Sequence, residues 1–252
     1  MLLEVENCSL SFGGVKALTA FGMALQEGEL LGIIGPNGAG KTTLFNALTG
    51  VYQPDAGDLR LSGESLVGRS SHEINELGIA RTFQNVRLFQ NLTVEDNVLV
   101  GFHHQMKTSL IAAGLQLPAS AKEEEDLRRK AIELLDLFGL SGRREELAKN
   151  LPYGDQRKLE IVRALATGPK LLLLDEPAAG MNATEKNDLV GLIRQVRDRF
   201  KLAVILIEHD MSVVMTLCPR LIVLDYGVVI ATGTPEEIRK NPKVIEAYLG
   251  KA

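Results

Sequence analysis

Short unbroken apolar runs recur along this chain, and each gives way at once to polar residues. Leu30-Leu31-Gly32-Ile33-Ile34, Leu171-Leu172-Leu173-Leu174 and Leu202-Ala203-Val204-Ile205-Leu206-Ile207 are near-continuous rather than alternating. That pattern predicts parallel strands covered on both faces. The first run ends at Gly35, the second at Asp175-Glu176 and the third at Glu208-His209-Asp210. Ligands of open parallel α/β sheets bind in the crevice outside the carboxyl ends of the strands, so these three ends are expected to share one site.

Shorter strands are predicted at Leu3–Val5, near Leu18–Leu25 and at Asp58–Gly63. Leu221–Asp225 and Val228–Ala231 around Tyr226-Gly227 predict a hairpin. Residues 85–150 change to polar, helix-prone sequence. There Leu127, Ala131, Leu134, Leu135 and Phe138 fall at helical spacing, Ser120 and Glu123 suggest a capping box at the start, and Gly139 a stop. Glu124/Arg128 and Glu125/Arg129 are i,i+4 pairs on the wet face of that helix. Residues 103–119 read as an irregular insertion. Thr234-Pro235 and Asn241-Pro242 are two helix starts in the tail.

With 252 residues the chain can form one large domain, or a core with a sizeable subdomain. Its net charge of −4 gives no basic footprint, so no nucleic-acid partner is expected. Cys8 and Cys218 are the only cysteines, which predicts a reduced, cytosolic protein without disulfides or a structural zinc. His103-His104 lack ligating partners at metal spacing. No apolar run approaches the roughly 18 residues of a membrane span, and Met1-Leu2-Leu3-Glu4 begins no signal peptide. Any work at a membrane is therefore expected to pass through a partner.

Candidate chemistry centres on Gly35-Pro36-Asn37-Gly38-Ala39-Gly40-Lys41-Thr42-Thr43, which sits between an apolar strand and the helix-prone Leu44-Phe45-Asn46-Ala47-Leu48. Strand, glycine-rich loop and helix form a phosphate cradle, in which backbone N–H groups and the helix dipole converge on an anion. Lys41 is expected to neutralise β- and γ-phosphate charge, and the Thr42 hydroxyl to ligate Mg²⁺. Asp175 is expected to hold Mg²⁺, directly or through water, with Glu176 polarising the attacking water. His209 is placed to contact the γ-phosphate, although a lone histidine at a strand end more often simply faces solvent.

These motifs resemble the ATP-binding cassette (ABC) ATPase family over essentially the whole chain. Gly35–Thr43 matches Walker A, and Leu171–Glu176 matches Walker B with the catalytic glutamate. Gln84, in Arg81-Thr82-Phe83-Gln84, sits where the family's Q-loop glutamine binds Mg²⁺. His209 matches the switch histidine, and Phe12 is placed like the adenine-stacking aromatic. The resemblance implies an α/β fold: a mixed, mostly parallel sheet with an N-terminal antiparallel part, and a helical subdomain. The expected layout is one domain, with a catalytic core of 1–84 and 156–252 and an inserted subdomain of 85–155. It implies an ATP hydrolase with ATP and Mg²⁺, paired head-to-tail with a second ATPase subunit, a paralogue or itself. Two membrane-spanning permease subunits would complete the transporter, with the ATPase peripheral on the cytoplasmic face of the inner membrane and an external binding protein acting indirectly.

Within the family, Glu176-Pro177-Ala178-Ala179-Gly180-Met181-Asn182, the insertion before residue 120 and Gly233-Thr234-Pro235 through Leu249-Gly250 resemble the ATPases of bacterial high-affinity branched-chain amino acid uptake. Urea- and amide-uptake and lipopolysaccharide-export ATPases share much of this wording, and a non-transport ABC ATPase is a further alternative. A P-loop GTPase is disfavoured because the guanine-reading Asn-Lys-x-Asp is absent. Leu88 and Phe89 are candidate contacts for a transporter helix, or else pack inside the subdomain.

Two departures from the family pattern stand out. The signature Leu-Ser-Gly-Gly-Gln is here Leu151-Pro152-Tyr153-Gly154-Asp155, and the D-loop aspartate position holds Asn182. A helix is expected from about Asp155. Pro152 lacks an N–H, Tyr153 would be strained if the glycine it replaces needs positive φ, and Asp155 adds negative charge near a phosphate. The expected consequence is an asymmetric pair in which this signature is the weaker half.

Overall fold

Backbone bulges hide a long hairpin at the start of the chain. β1 (Leu3–Phe12) and β2 (Val15–Leu25) pair antiparallel across Gly13-Gly14 and run well beyond the short strands expected there. Register shifts break the buried alternation, as from Leu3 and Val5 to Cys8 and Leu10, and Asn7 and Ala20 take positive φ there. A bulge adds one residue to one strand and so erases the period of two that a sequence reading relies on. β4 (Ala56–Leu61) pairs with β1, and β5 (Glu64–Ser65) folds back on β4.

The computed structural model describes the backbone of residues 1–103 and 118–249, with side chains from residue 122 in the second stretch. The 103–119 insertion, apart from its ends, lies outside the described residues, as do His104 and the side chain of Ser120. Among the described residues, the second sheet of the molecule has six strands in the order β10-β9-β3-β8-β7-β6. β3 (Leu30–Ile34), β6 (Ile79–Arg81), β7 (Leu171–Asp175), β8 (Ala203–Ile207) and β9 (Arg220–Asp225) are parallel, and β10 (Val228–Gly233) closes the edge antiparallel.

The apolar runs are unbroken because both sheet faces are covered. Leu30, Leu172, Leu174, Val204 and Leu206 face a core shared with the helical segments. Leu31, Leu171, Leu173, Ile205 and Ile207 face the antiparallel sheet and the helix Lys41–Leu48. Ile33 pairs with Ile207 and Ile207 with Asp175, so the carboxyl ends of β3, β8 and β7 stand level. That alignment is what assembles the site.

The helical part contains Val94–Gly101, Pro118–Leu137 and the 14-residue helix Tyr153–Ala166. Leu127, Ala131, Leu134, Leu135 and Phe138 are all buried, and Gly139 has φ +69°, the left-handed stop that the spacing predicted. The helix Pro118–Leu137 includes Ser120 rather than starting there. Arg128 meets Glu124 at 3.3 Å, whereas Arg129 turns to Asp126 at 2.8 Å instead of Glu125. The boundary at 84/85 falls in irregular chain, while that at 155/156 lies in the first turn of Tyr153–Ala166, which continues through both parts. Ser71–Leu77, with its Ser70/Glu73 capping box, has no counterpart in the sequence reading. The tail forms Pro235–Lys240 and Pro242–Leu249, the first capped by Thr234 and Glu237.

Candidate nucleotide site

Gly40 caps the helix Lys41–Leu48 without any side-chain bond, and no acid occupies its first turn. The first N–H groups of the helix are thus directed at the loop with their dipole unopposed, which suits an anion. The glycines meet a constraint that the sequence did not show. A Cβ on Gly35 would lie 2.0 Å from the Leu224 carbonyl oxygen, and one on Gly40 2.5 Å from that of Ala17. Only Gly38, at φ +79°, looks into open space. The loop is therefore clamped between β2 and the β9–β10 turn, where Gly227 N–H donates to the Ala39 carbonyl and Thr19 N–H to that of Gly227.

The Lys41 ammonium is buried and donates to the carbonyls of Gly35 at 2.7 Å and Pro36 at 2.9 Å. Burial lowers its pKa, while the nearby charges of Glu176 and Asp175 work the other way. A cavity of about 230 Å³ is lined by Ala17, residues 37–43, Gln84, Glu176 and His209. Four other stretches of sequence thus converge on the loop.

Glu176 is the hub. One carboxylate oxygen accepts from the Gln84 amide at 3.0 Å and the other lies 2.8 Å from His209 Nε2. Its φ of +49° puts a bulky residue in the left-handed region, a conformation that persists only where the surroundings impose it. The constraint is visible: Glu176 N–H donates to the Ile207 carbonyl at 2.8 Å, extending the β7–β8 ladder one residue past the strand.

Asp175 does not line the cavity. Its carboxylate is held at 2.8 Å by Arg81, both side chains being almost wholly buried, and Arg81 also donates to Asn46 at 2.6 Å. Phe12 ends β1, half-exposed, with its ring edge-on to Tyr52 at 4.9 Å. Asn182 caps the helix Ala183–Phe200 in a reciprocal box with Glu185. Leu151 is buried and Pro152 is the cap of Tyr153–Ala166.

The signature expectations need correcting. The helix begins at Tyr153, two residues before Asp155, because a cap position needs no N–H and Pro152 can fill it. Tyr153 is helical and absent from the positive-φ residues, so it carries no strain. Asp155 lies 3.4 Å from Lys158 and 3.5 Å from Arg143, which balance its charge.

Four buried or paired side chains around these residues make contacts that the sequence did not assign. Arg81 holds Asp175. Glu208, whose carboxyl is pushed up by burial, accepts from Ala178 N–H at 2.7 Å and His209 N–H at 3.0 Å, tying the chain after β7 to the end of β8. Arg157 and Glu160 are buried on the signature helix. Their signal was present: positions 157, 160, 161 and 164 form one stripe at helical spacing, two of them charged among apolar neighbours.

Comparison with known proteins places this geometry. The ABC transporter family model matches residues 18–179, and a model described as "Branched-chain amino acid ATP-binding cassette transporter" matches residues 228–252. The high-affinity branched-chain amino acid transport ATP-binding protein BraF of Pseudomonas aeruginosa is 44% identical over 100% of this chain and 98% of its own length. LivG of Escherichia coli, with the same description, is also 44% identical at the same coverage. The lipopolysaccharide export system ATP-binding protein LptB of Haemophilus influenzae is 32% identical over 99% and 98%. Among solved structures, the ADP conformation of MJ1267, an ATP-binding cassette of an ABC transporter, superposes with a TM-score of 0.86 at 31% identity, covering 99% of both chains. Matched end to end by transport ATP-binding proteins and sharing the fold of a solved cassette, this chain belongs to the ABC transporter family, as one of its ATP-hydrolysing subunits.

Proposed function

We propose that the chain energises an importer of branched-chain amino acids, with ATP bound on the Gly35–Thr43 loop and Glu176 as the base that readies water. The observation that carries the catalytic part is the Glu176 carboxylate bridged between Gln84 and His209 at the mouth of the phosphate cavity. Lys41 neutralises phosphate charge, and His209 exchanges its bond to Glu176 for one to the γ-phosphate. Phe12 offers a ring face to adenine. Thr42, Gln84 and Asp175 supply a hydroxyl, an amide oxygen and a carboxylate, a hard oxygen set that fits Mg²⁺, and the ion would offset the charge of the phosphates. Asp175, already paired with Arg81, would hold the ion directly or through water. Glu176→Gln is expected to bind ATP normally by calorimetry and to lose turnover; unimpaired hydrolysis would refute the assignment.

The solute assignment rests on the relatives named above and on the match at residues 228–252. Among the described residues no helix is long and apolar enough to cross a membrane, which agrees with work through separate permease subunits at the cytoplasmic face. A second cassette would pair head-to-tail, so that Tyr153–Gly154 at its helix start closes on the partner's nucleotide. The unstrained helix start and the balanced Asp155 leave the missing serine hydroxyl as the principal handicap of this signature. Disabling each Walker B glutamate of a mixed dimer in turn reads the asymmetry, and equal losses would exclude it.

A cleft of about 630 Å³ runs between Phe83, Leu88, Phe89, Val100 and Arg163. Leu88 belongs to the core, whereas Phe89 is half-exposed beneath the Arg163 guanidinium at 5.5 Å, so Phe89 is the residue available to a permease helix. Phe89→Ala should spare ATP affinity and reduce uptake of labelled leucine in cells; unchanged uptake would exclude docking there.

A further inference from the structure

Arg157 sits on the signature helix with its side chain only 3% exposed. Each of its three guanidinium nitrogens donates a hydrogen bond. Nε donates to the Tyr153 hydroxyl at 3.0 Å, Nη1 to the Phe83 carbonyl at 2.7 Å, and Nη2 to the Gln84 carbonyl. One helical turn on, Glu160 Oε1 accepts from the N–H groups of Phe83 at 3.3 Å and Arg87 at 3.2 Å, and Oε2 lies 3.6 Å from Arg157. The segment Phe83–Arg87 is irregular chain with no ladder of its own, so this charged pair supplies both donors and acceptors for its backbone.

The two ends of this link face different chemistry. Gln84 holds the Glu176 carboxylate in this chain's own cavity. Tyr153 opens the helix Tyr153–Ala166, and its ring packs on the D-loop, where a Cβ on Gly180 would meet it at 3.1 Å. A planar fork with five donors in fixed geometry can hold three acceptors spread along its edges, whereas the three donors of a lysine radiate from a single nitrogen and cannot span them.

We propose that Arg157, braced by Glu160, is a positioning residue for hydrolysis: it fixes the Gln84 backbone to the start of the signature helix, so that the set of Gln84 against Glu176 depends on where Tyr153 stands. The pair thereby couples the chain's own nucleotide site to the surface it presents to a second cassette. This rests on the reading of Gln84 and Glu176 given above.

The test uses the full-length protein, with steady-state turnover of Mg·ATP and amide hydrogen exchange on the same samples. Arg157→Lys keeps the buried charge and is expected to lower kcat about tenfold with KM for ATP within about twofold. In a Gln84→Ala background the same change should cost less than about twofold, because the residue acts through Gln84. Exchange at Phe83 and Arg87 should quicken about tenfold, while β7 and β8 keep their protection. Glu160→Gln retains the volume and the acceptor oxygen and should keep at least about half of kcat. A full tenfold cost persisting without Gln84, or faster exchange throughout the core, would mark Arg157 as merely structural and overturn the proposal. Should Arg157→Lys not fold, Tyr153→Phe, which removes only the hydroxyl that accepts from Arg157, carries the test. It must lower kcat without raising KM, and an unchanged kcat overturns the link. Turnover retained by Glu176→Gln in the same assay would instead bring down the site reading itself, so the two failures are distinct.

Discussion

Glu176 is held at φ +49°, and the cost of that conformation can be measured apart from catalysis. Replacing Glu176 by Ala or by Gly removes the same bonds to Gln84 and His209 and the same side-chain packing beyond Cβ. The two variants differ in one respect, since Ala keeps a Cβ crowded against its carbonyl oxygen. For an L-residue the left-handed region costs about 1–2 kcal/mol. Against this, Gly gains more freedom in the unfolded chain and loses about 0.4–1 kcal/mol on that account. The Gly variant should therefore be the more stable by about 0.5–1 kcal/mol, or roughly 1–4 °C in Tm for a chain of this size. That order is the reverse of the usual ranking, in which Ala outperforms Gly. Both variants should lose about 10²–10⁴ of kcat, the range expected when a positioned general base is deleted. Thermal unfolding of the nucleotide-free proteins, followed by calorimetry, gives the comparison directly. An Ala variant melting at or above the Gly variant would show that the backbone there is not strained, and the reasoning would fail.

Other outcomes follow from the same geometry. Gly40→Ala forces a Cβ against the Ala17 carbonyl at 2.5 Å and at φ +104°, so ATP binding measured by calorimetry should weaken at least about tenfold, one decade for each ~1.4 kcal/mol lost. Lys41→Ala should abolish measurable ATP affinity in the same assay, and because it strips two carbonyls of their donor it should also cost about 1–3 kcal/mol of stability in urea unfolding. Asp210 is held down at about 2 by its bond to Lys186, then by Ser212, against an ordinary 3.8. A depressed carboxylate stabilises the fold above its unfolded value and loses that contribution as pH falls toward 2. Asp210→Asn should accordingly cost about 1 kcal/mol or less near neutrality, after allowance for solvent screening, and the difference in stability from wild type should shrink between pH 4 and pH 2.

How much of this was legible beforehand depended on whether a feature is local. The loop Gly35–Thr43, the apolar strands and the acids at their ends are contiguous in sequence, and their chemistry follows from residue type and spacing. The helix containing Leu127 and Phe138 was equally plain, because burial on one face writes a 3.6-residue period into the chain. The hairpin of β1 and β2 was shortened in the reading because its bulges at Asn7 and Ala20 erase the period of two. Residue type at Pro152 and Tyr153 points to a missing N–H and to strain at a helix expected from about Asp155, whereas the structure makes them the cap and first residue of that helix, positions that suit both.

By itself, then, the sequence determined a glycine-rich strand–loop–helix and acids at strand ends on an α/β sheet with a helical stretch between, while Gln84 and His209 entered through the family resemblance. Only the tertiary structure decided which of these residues touch. It set Gln84 and His209 on either side of Glu176, diverted Asp175 to Arg81, and placed Gly35 and Gly40 where neighbouring carbonyls leave no room for a side chain. Residue types and local periodicity are carried by neighbours along the chain. Pairings across 92 residues, such as Gln84 with Glu176, arise from strand order and register, which many sequences share and no short segment encodes.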